Sequence, residues 1–223
     1  MISQIDQRDA LAPSRFVDSD HSDVRDFTGS IVRGVQDPRE RIGLLFAAVR
    51  DRLRYDPYRV TAEAPNYRAS AILNGGPTWC VPKAVLLTAS LRAAGIPAVL
   101  GFSDVRNHLN SATLLALMGT DLFVYHGWSA VHIDGQWRKG SPAFNSDLCR
   151  RFGVAPLEFD GSSDALLHET DGAGRRHMQY VRERGMFMDL PFDEIMTTLR
   201  DTYGPAMMRD TDTQRPADPH FRA

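Results

Sequence analysis

The chain has 223 residues, with 43% hydrophobic and 24% charged residues and a formal net charge of −2. That length and balance suit one globular domain with a substantial core, and the near-neutral charge argues against nucleic acid or an anionic membrane surface as partner. Two cysteines, Cys80 and Cys149, in no CxxC pair, exclude a disulfide framework and point to no structural zinc site and no other cofactor.

No apolar run approaches the roughly 18 residues of a membrane-spanning helix. The opening "MISQIDQRDALAPSRF" is polar and acidic, where a signal peptide would have a basic start and an apolar centre. The expected location is therefore cytoplasmic, with no membrane partner.

Residues 1–36 are polar with weak periodicity and read as a loosely packed N-terminal arm. The first strong element is "DPRERIGLLFAAVRDRLRY". Asp37 is a good N-cap, Pro38 suits the first helical position and Glu40 completes a capping box. Ile42, Leu45, Phe46, Val49 and Leu53 form one apolar stripe at helical spacing, and the Asp56-Pro57 pair predicts an end near Tyr55.

The next helix follows "NGGPTWCVP". Pro82 is tolerated only in a first turn, so the start lies close to Cys80. Ala84, Val85, Leu86, Leu87, Ala89 and Leu91 are apolar on nearly every face, which predicts a central helix covered all round. Gly95 closes it and Pro97 prevents its continuation.

"AVLGFSDV" reads as a strand ending at Asp104, and "RNHLNSATLLALMG" as a helix closed by Gly119. "LFVYHGWSAVHI", the turn Asp134-Gly135 and "QWRKGSPAF" read as a hairpin. Beyond Asn145 the pattern is irregular until "DLPFDEIMTTLRDTYG", an amphipathic helix. Residues 209–223 read as a disordered tail. The domain expected between arm and tail is 37–208.

Cys80 at a helix N-terminus meets unpaired backbone N–H groups and the positive end of the helix dipole. Both favour the thiolate, so the thiol is expected to be more acidic than a free cysteine, and the same N–H groups could hold an oxyanion. A nucleophilic cysteine needs a base. His126 is the candidate, because it leads into the aromatic strand "HGWSAVHI". Trp79 either walls the site or belongs to the core.

The order "WCVPKAVLLTASLRAAGIPA" followed by "HGWSAVHIDGQWRKGSP" resembles the transglutaminase-like superfamily of papain-type cysteine enzymes, over roughly Asp37 to Asn145. Trp79-Cys80, "LRAAGIPA" and His126-Gly127-Trp128 match in order. The resemblance implies an α+β fold with a papain/transglutaminase-like core: a central buried helix with its N-terminal Cys, packed on an antiparallel β-sheet. It also implies a Cys–His–Asp/Asn site, an arrangement shared with arylamine N-acetyltransferases. The implied chemistry is acyl transfer through a thioester on Cys80, from a peptide amide or an acyl thioester, with the acyl thioester carried on a carrier protein in some cases. Distant relatives catalyse Dieckmann cyclisation of carrier-bound chains; a cysteine protease or amidase, or a non-catalytic binding domain, is the alternative on the same fold.

The resemblance breaks at the third residue, where Ser141 stands before Pro142 in place of Asp. Two other residues could supply the partner of His126. If the Asp134-Gly135 turn has two residues, Ile133 pairs with Gln136 and His126 faces Ala143, with Ser141 and Asn145 flanking that position. If the strand ending at Asp104 is antiparallel to the His126 strand, its carboxylate lies beside the start of that strand. Asp104 is the expected third member, with Asn145 and Ser141 as the alternatives.

Overall fold

The computed structural model describes residues 5–208 and 218–221. The helices are α1 (Ser22–Val32), α2 (Pro38–Arg52), α3 (Ala69–Leu73), α4 (Cys80–Ala93), α5 (Ala112–Met118), α6 (Ser146–Arg151) and α7 (Phe192–Tyr203). The strands are β1 (Ala98–Asn107), β2 (Leu122–Ile133), β3 (Gln136–Gly140) and β4 (Met178–Phe187), in one antiparallel sheet of order β3-β2-β1-β4. The architecture is α+β, a central buried helix packed on an antiparallel sheet, as the sequence resemblance implies.

Helix α4 is the centre. Every residue from Cys80 to Arg92 is buried, as its all-round apolar sequence predicts. The sheet packs on one side, through β1 and β2, and α1, α2 and α3 pack on the others. Its polar side chains are each satisfied, as burial requires. Thr88 Oγ1 lies 2.9 Å from Ser129 Oγ, and Ser90 Oγ donates to the Leu86 carbonyl. Arg92 donates to the carbonyls of Ala98, Ala12 and Met188 at 2.7–2.8 Å.

That last contact corrects the reading of residues 1–36 as a loose arm. Beyond the anchored Ala12, Phe16 and Val17 are buried and their N–H groups reach Asp189. Buried Asp18 accepts from Ser70 and Arg68. Asp18 and the backbone of Ala12, Phe16 and Val17 are bonded into the body, a use of polar groups that periodicity does not reveal. Residues 209–217 and 222–223 lie outside the described residues. Residues 218–221, read as part of a disordered tail, are seated: Asp218 accepts from Tyr58 Oη at 2.6 Å and from Ser111 Oγ, and Phe221 packs against Tyr55 and Tyr58.

The other elements follow their local signals. Asp37 accepts the Arg39 N–H at 3.0 Å and starts α2, which ends at Arg52, before Tyr55. Strand β1 runs past Asp104, its expected end, to Asn107, so α5 begins only at Ala112, capped by Ser111, and Gly119 ends it at φ 68°. The Asp134-Gly135 hairpin has the expected register, Ile133 opposite Gln136. Strand β4 has no counterpart in the sequence reading. Among the described residues no helix is long and apolar enough to cross a membrane.

Candidate active site

Cys80 is the first residue of α4, and its neighbour Trp79, in extended conformation, offers no side-chain cap. The first N–H groups of the helix are therefore left for the sulfur. Those of Cys80 and Val81 point at it, joined by the Gly127 N–H from β2. The last contact needs close packing. A Cβ on residue 127 would stand 3.0 Å from Val81 Cα and 3.3 Å from the Cys80 carbonyl oxygen, so glycine lets the strand come this near without displacing the helix.

His126 precedes that glycine. It and Cys80 are each 4% exposed, and both line one narrow cavity with Trp79, Tyr55, Phe123, Val124, Leu199 and Tyr203 among its walls. The cavity offers about 20 Å³, room for a single water. His126 Nε2 lies 3.0 Å from Ser141 Oγ. The ring also stands edge-on to Tyr180 of β4, with centroids 6.0 Å apart.

The other two candidates for the third place are engaged elsewhere. Asp104 Oδ1 accepts from the Tyr125 N–H at 3.1 Å and from Arg184 Nε at 2.6 Å. This corrects the expectation that its carboxylate serves the imidazole: among the described hydrogen bonds, the ring's partner is Ser141. Asn145 Oδ1 accepts from the Tyr55 N–H at 3.1 Å, because the chain leaves the sheet at Gly140 and no longer follows the strand register that would flank His126.

Burial sets the charge state of the pair. It pushes the Cys80 thiol up to about 11, against the three N–H groups and Lys83, which favour the thiolate. The expectation of an acidic thiol is thus reversed by desolvation, which penalises the charged form. Burial also pushes His126 down to about 3. Ser141 brings no charge to offset that loss of water. At neutral pH the closed site holds a thiol and a neutral imidazole.

Lys83, one turn along α4, was not singled out from the sequence. It is fully buried, and its Nζ donates to the carbonyls of Arg50 and Leu53 at 2.8 and 2.6 Å, closing the end of α2. Burial lowers it to about 7. The signal was present: the chain has only two lysines, and one follows Cys80 in the most apolar helix.

The sequence matches the family model of the transglutaminase-like superfamily over residues 25–142, more than half of the chain. The chain belongs to the transglutaminase-like superfamily. The matched segment opens within α1 and closes at Pro142, so it holds Cys80, His126 and Ser141 together. Among solved structures, a candidate cysteine protease from Cytophaga hutchinsonii is similar, with 15% identity and a TM-score of 0.45, over 83% of this chain and 56% of that one. The chain thus spans little more than half of that relative. A comparison with curated proteins gives no match. Superfamily membership supports a cysteine-based catalytic function in general terms.

Proposed function

We propose that the protein catalyses acyl transfer through a thioester on Cys80, with His126 as base and Ser141 as the residue that orients it. The observation that carries the reading is the shared cavity. The uncapped N-terminus of α4 presents the thiol where His126 lines the wall, and Ser141 on Nε2 leaves Nδ1 for the thiol.

The step runs as follows. Cys80 Sγ attacks the acyl carbonyl carbon while its proton passes to His126. The carbonyl π electrons move to oxygen, and the N–H groups of Cys80 and Gly127 beside the sulfur are the proposed donors to that oxyanion, a type of contact worth roughly 3–4 kcal/mol per donor. The oxyanion collapses, the bond to the leaving nitrogen or sulfur breaks, and His126 returns the proton to the leaving group. An acceptor then releases the acyl group and regenerates the thiol. Water as acceptor makes a hydrolase or amidase, an amine makes a transferase, and a carbanion within the acyl chain makes a Dieckmann-type cyclase acting on a carrier-bound thioester.

Both groups are neutral in the closed site, so proton transfer accompanies attack instead of preceding it. A cavity fit for one water also requires opening before substrate enters. The walls contributed by α7 and by Met118 and Met207 are apolar, which suits an uncharged acyl group.

A second reading, a binding domain that retains the fold, is favoured by the same closure and by the uncharged Ser141. Incubation with N-acetylcysteamine thioesters of graded acyl length separates the two. The enzyme reading expects a mass gain equal to the acyl group, release of the free thiol and loss of the adduct in Cys80→Ala. No adduct with any member of the series favours the binding reading.

A further inference from the structure

Strand β1 runs through a defect that both of its neighbours share. On the β2 side, Ser103 pairs with His126 but Val105 pairs with Phe123. Asp104 therefore faces two residues, Val124 and Tyr125, which is a β-bulge. On the β4 side the register breaks twice: Phe102 pairs with Gly185 and Ser103 with Glu183, which leaves Arg184 extra, and Asp104 pairs with Arg182 and Val105 with Tyr180, which leaves Val181 extra. The Asp104 carboxylate joins the β2 bulge to the Arg184 bulge, accepting from Tyr125 of the first and from Arg184 of the second.

Tyr125 pays for its place in the bulge with a φ of +55°, a left-handed conformation that bulky residues rarely adopt. Its N–H is turned out of the ladder and would be orphaned in a buried sheet. Asp104, itself 4% exposed, accepts that N–H at 3.1 Å. Arg184 supplies the buried carboxylate with its counter-charge at 2.6 Å, and its guanidinium lies 4.2 Å over the Tyr125 ring. The Tyr125 hydroxyl is bonded in turn to Glu194 of α7. Backbone and ring of the residue before His126 are thus fixed from three directions.

A one-residue bulge exchanges the faces of everything on one side of it relative to the other. The direction of the His126 side chain accordingly depends on whether Tyr125 holds this conformation. We propose that Asp104, with Arg184, is a positioning residue for His126, acting through the Tyr125 backbone and not through the imidazole. The proposal rests on the reading of Cys80 and His126 as the reacting pair.

The test uses the full chain labelled with ¹³C,¹⁵N-histidine, with the His126 ring signals assigned by their loss in His126→Gln. In Asp104→Asn and in the milder Arg184→Lys, the His126 ring resonances are expected to move while those of His21 and His132 stay in place. Cys80 alkylation by iodoacetamide is expected to slow at least tenfold, with far-UV circular dichroism unchanged. Adding Tyr125→Gly, which holds a positive φ without strain, is expected to restore part of the rate. Unmoved His126 resonances in either folded variant overturn the proposal, because a role in stability alone would lower the melting temperature and leave the ring where it is. The control is His126→Ala: if Cys80 alkylation is unchanged there, the reading of the reacting pair fails, and the ring resonances still decide the role of Asp104 by themselves.

Discussion

Nε2 of His126 meets a hydroxyl, Ser141 Oγ at 3.0 Å, where the resemblance to cysteine enzymes calls for a carboxylate. A hydroxyl fixes the plane of the ring but does not favour its protonation. Ser141→Asp places a negative charge beside the imidazole, which raises its pKa and, through the resulting cation, lowers that of the thiol. The expected outcome is a rise of about tenfold or more in Cys80 alkylation at pH 7, one pKa unit being a factor of ten. Ser141→Ala is expected to lower the rate. A folded Ser141→Asp with unchanged rate and unchanged His126 titration would remove Ser141 from the site.

The wild-type thiol itself gives the second prediction. Because burial pushes Cys80 up to about 11, its alkylation rate is expected to climb through pH 10, where an exposed cysteine levels off near 8.5. Cys149 is also buried, so the measurement is made by mass spectrometry in Cys149→Ala. A plateau below pH 8 would mean that the N–H groups and Lys83 outweigh desolvation at this sulfur.

Local rules carry much of the fold. Asp37 and Pro38, the Asp134-Gly135 turn and the featureless apolar run of α4 act within a few residues, and each shows in the sequence as it stands in the structure. The N-terminal arm and β4 were hidden because their order comes from distant partners. Asp189 holds Phe16 and Val17, and Arg92 holds Ala12. "MQYVRERGMF" carries Arg182 and Arg184, and its register is broken twice by bulges that remove the alternation a strand needs to be seen. Cys80, His126 and Ser141 were legible as candidates. The partner of Asp104 was not, because a buried ion pair 80 residues apart in sequence leaves no local trace.

Gly127 is the point where strand and helix are closest. Gly127→Ala puts a methyl carbon 3.0 Å from Val81 Cα and 3.3 Å from Ala84 Cβ. Backbone cannot turn aside as a long side chain would, so α4 must retreat by a few tenths of an ångström. The expected cost is about 1–3 kcal/mol, as for other overpacked cores, seen as a fall of several degrees in melting temperature. The same retreat draws the Gly127 N–H away from Cys80, so the pH dependence of alkylation is expected to shift further upward. An unchanged melting temperature would show that helix and strand have slack at this contact.

Lys83 makes stability rise with pH, the direction opposite to that of a lysine whose pKa is raised by an acidic partner. Its folded value is lowered from 10.5 to about 7 by burial. Between those values the unfolded chain carries a proton on this lysine that the folded chain does not, so stability rises with pH across that window. Below about pH 7 both states hold the proton, and the full cost of burying the charge is present. The gain from pH 7 to 10.5 is at most roughly 5 kcal/mol, at 1.36 kcal/mol per unit. Lys83→Met lacks this gain and also leaves the Arg50 and Leu53 carbonyls without a donor, at about 1–3 kcal/mol each. The expected result in urea titrations is a variant less stable than the wild type at pH 9.5, with the gap narrowing as pH is lowered to 7. Tyrosine ionisation is common to both proteins and cancels in the difference. A gap that stays constant between pH 7 and 9.5 would mean that Lys83 keeps its proton in the folded protein, and that the two carbonyls of α2 outweigh its desolvation.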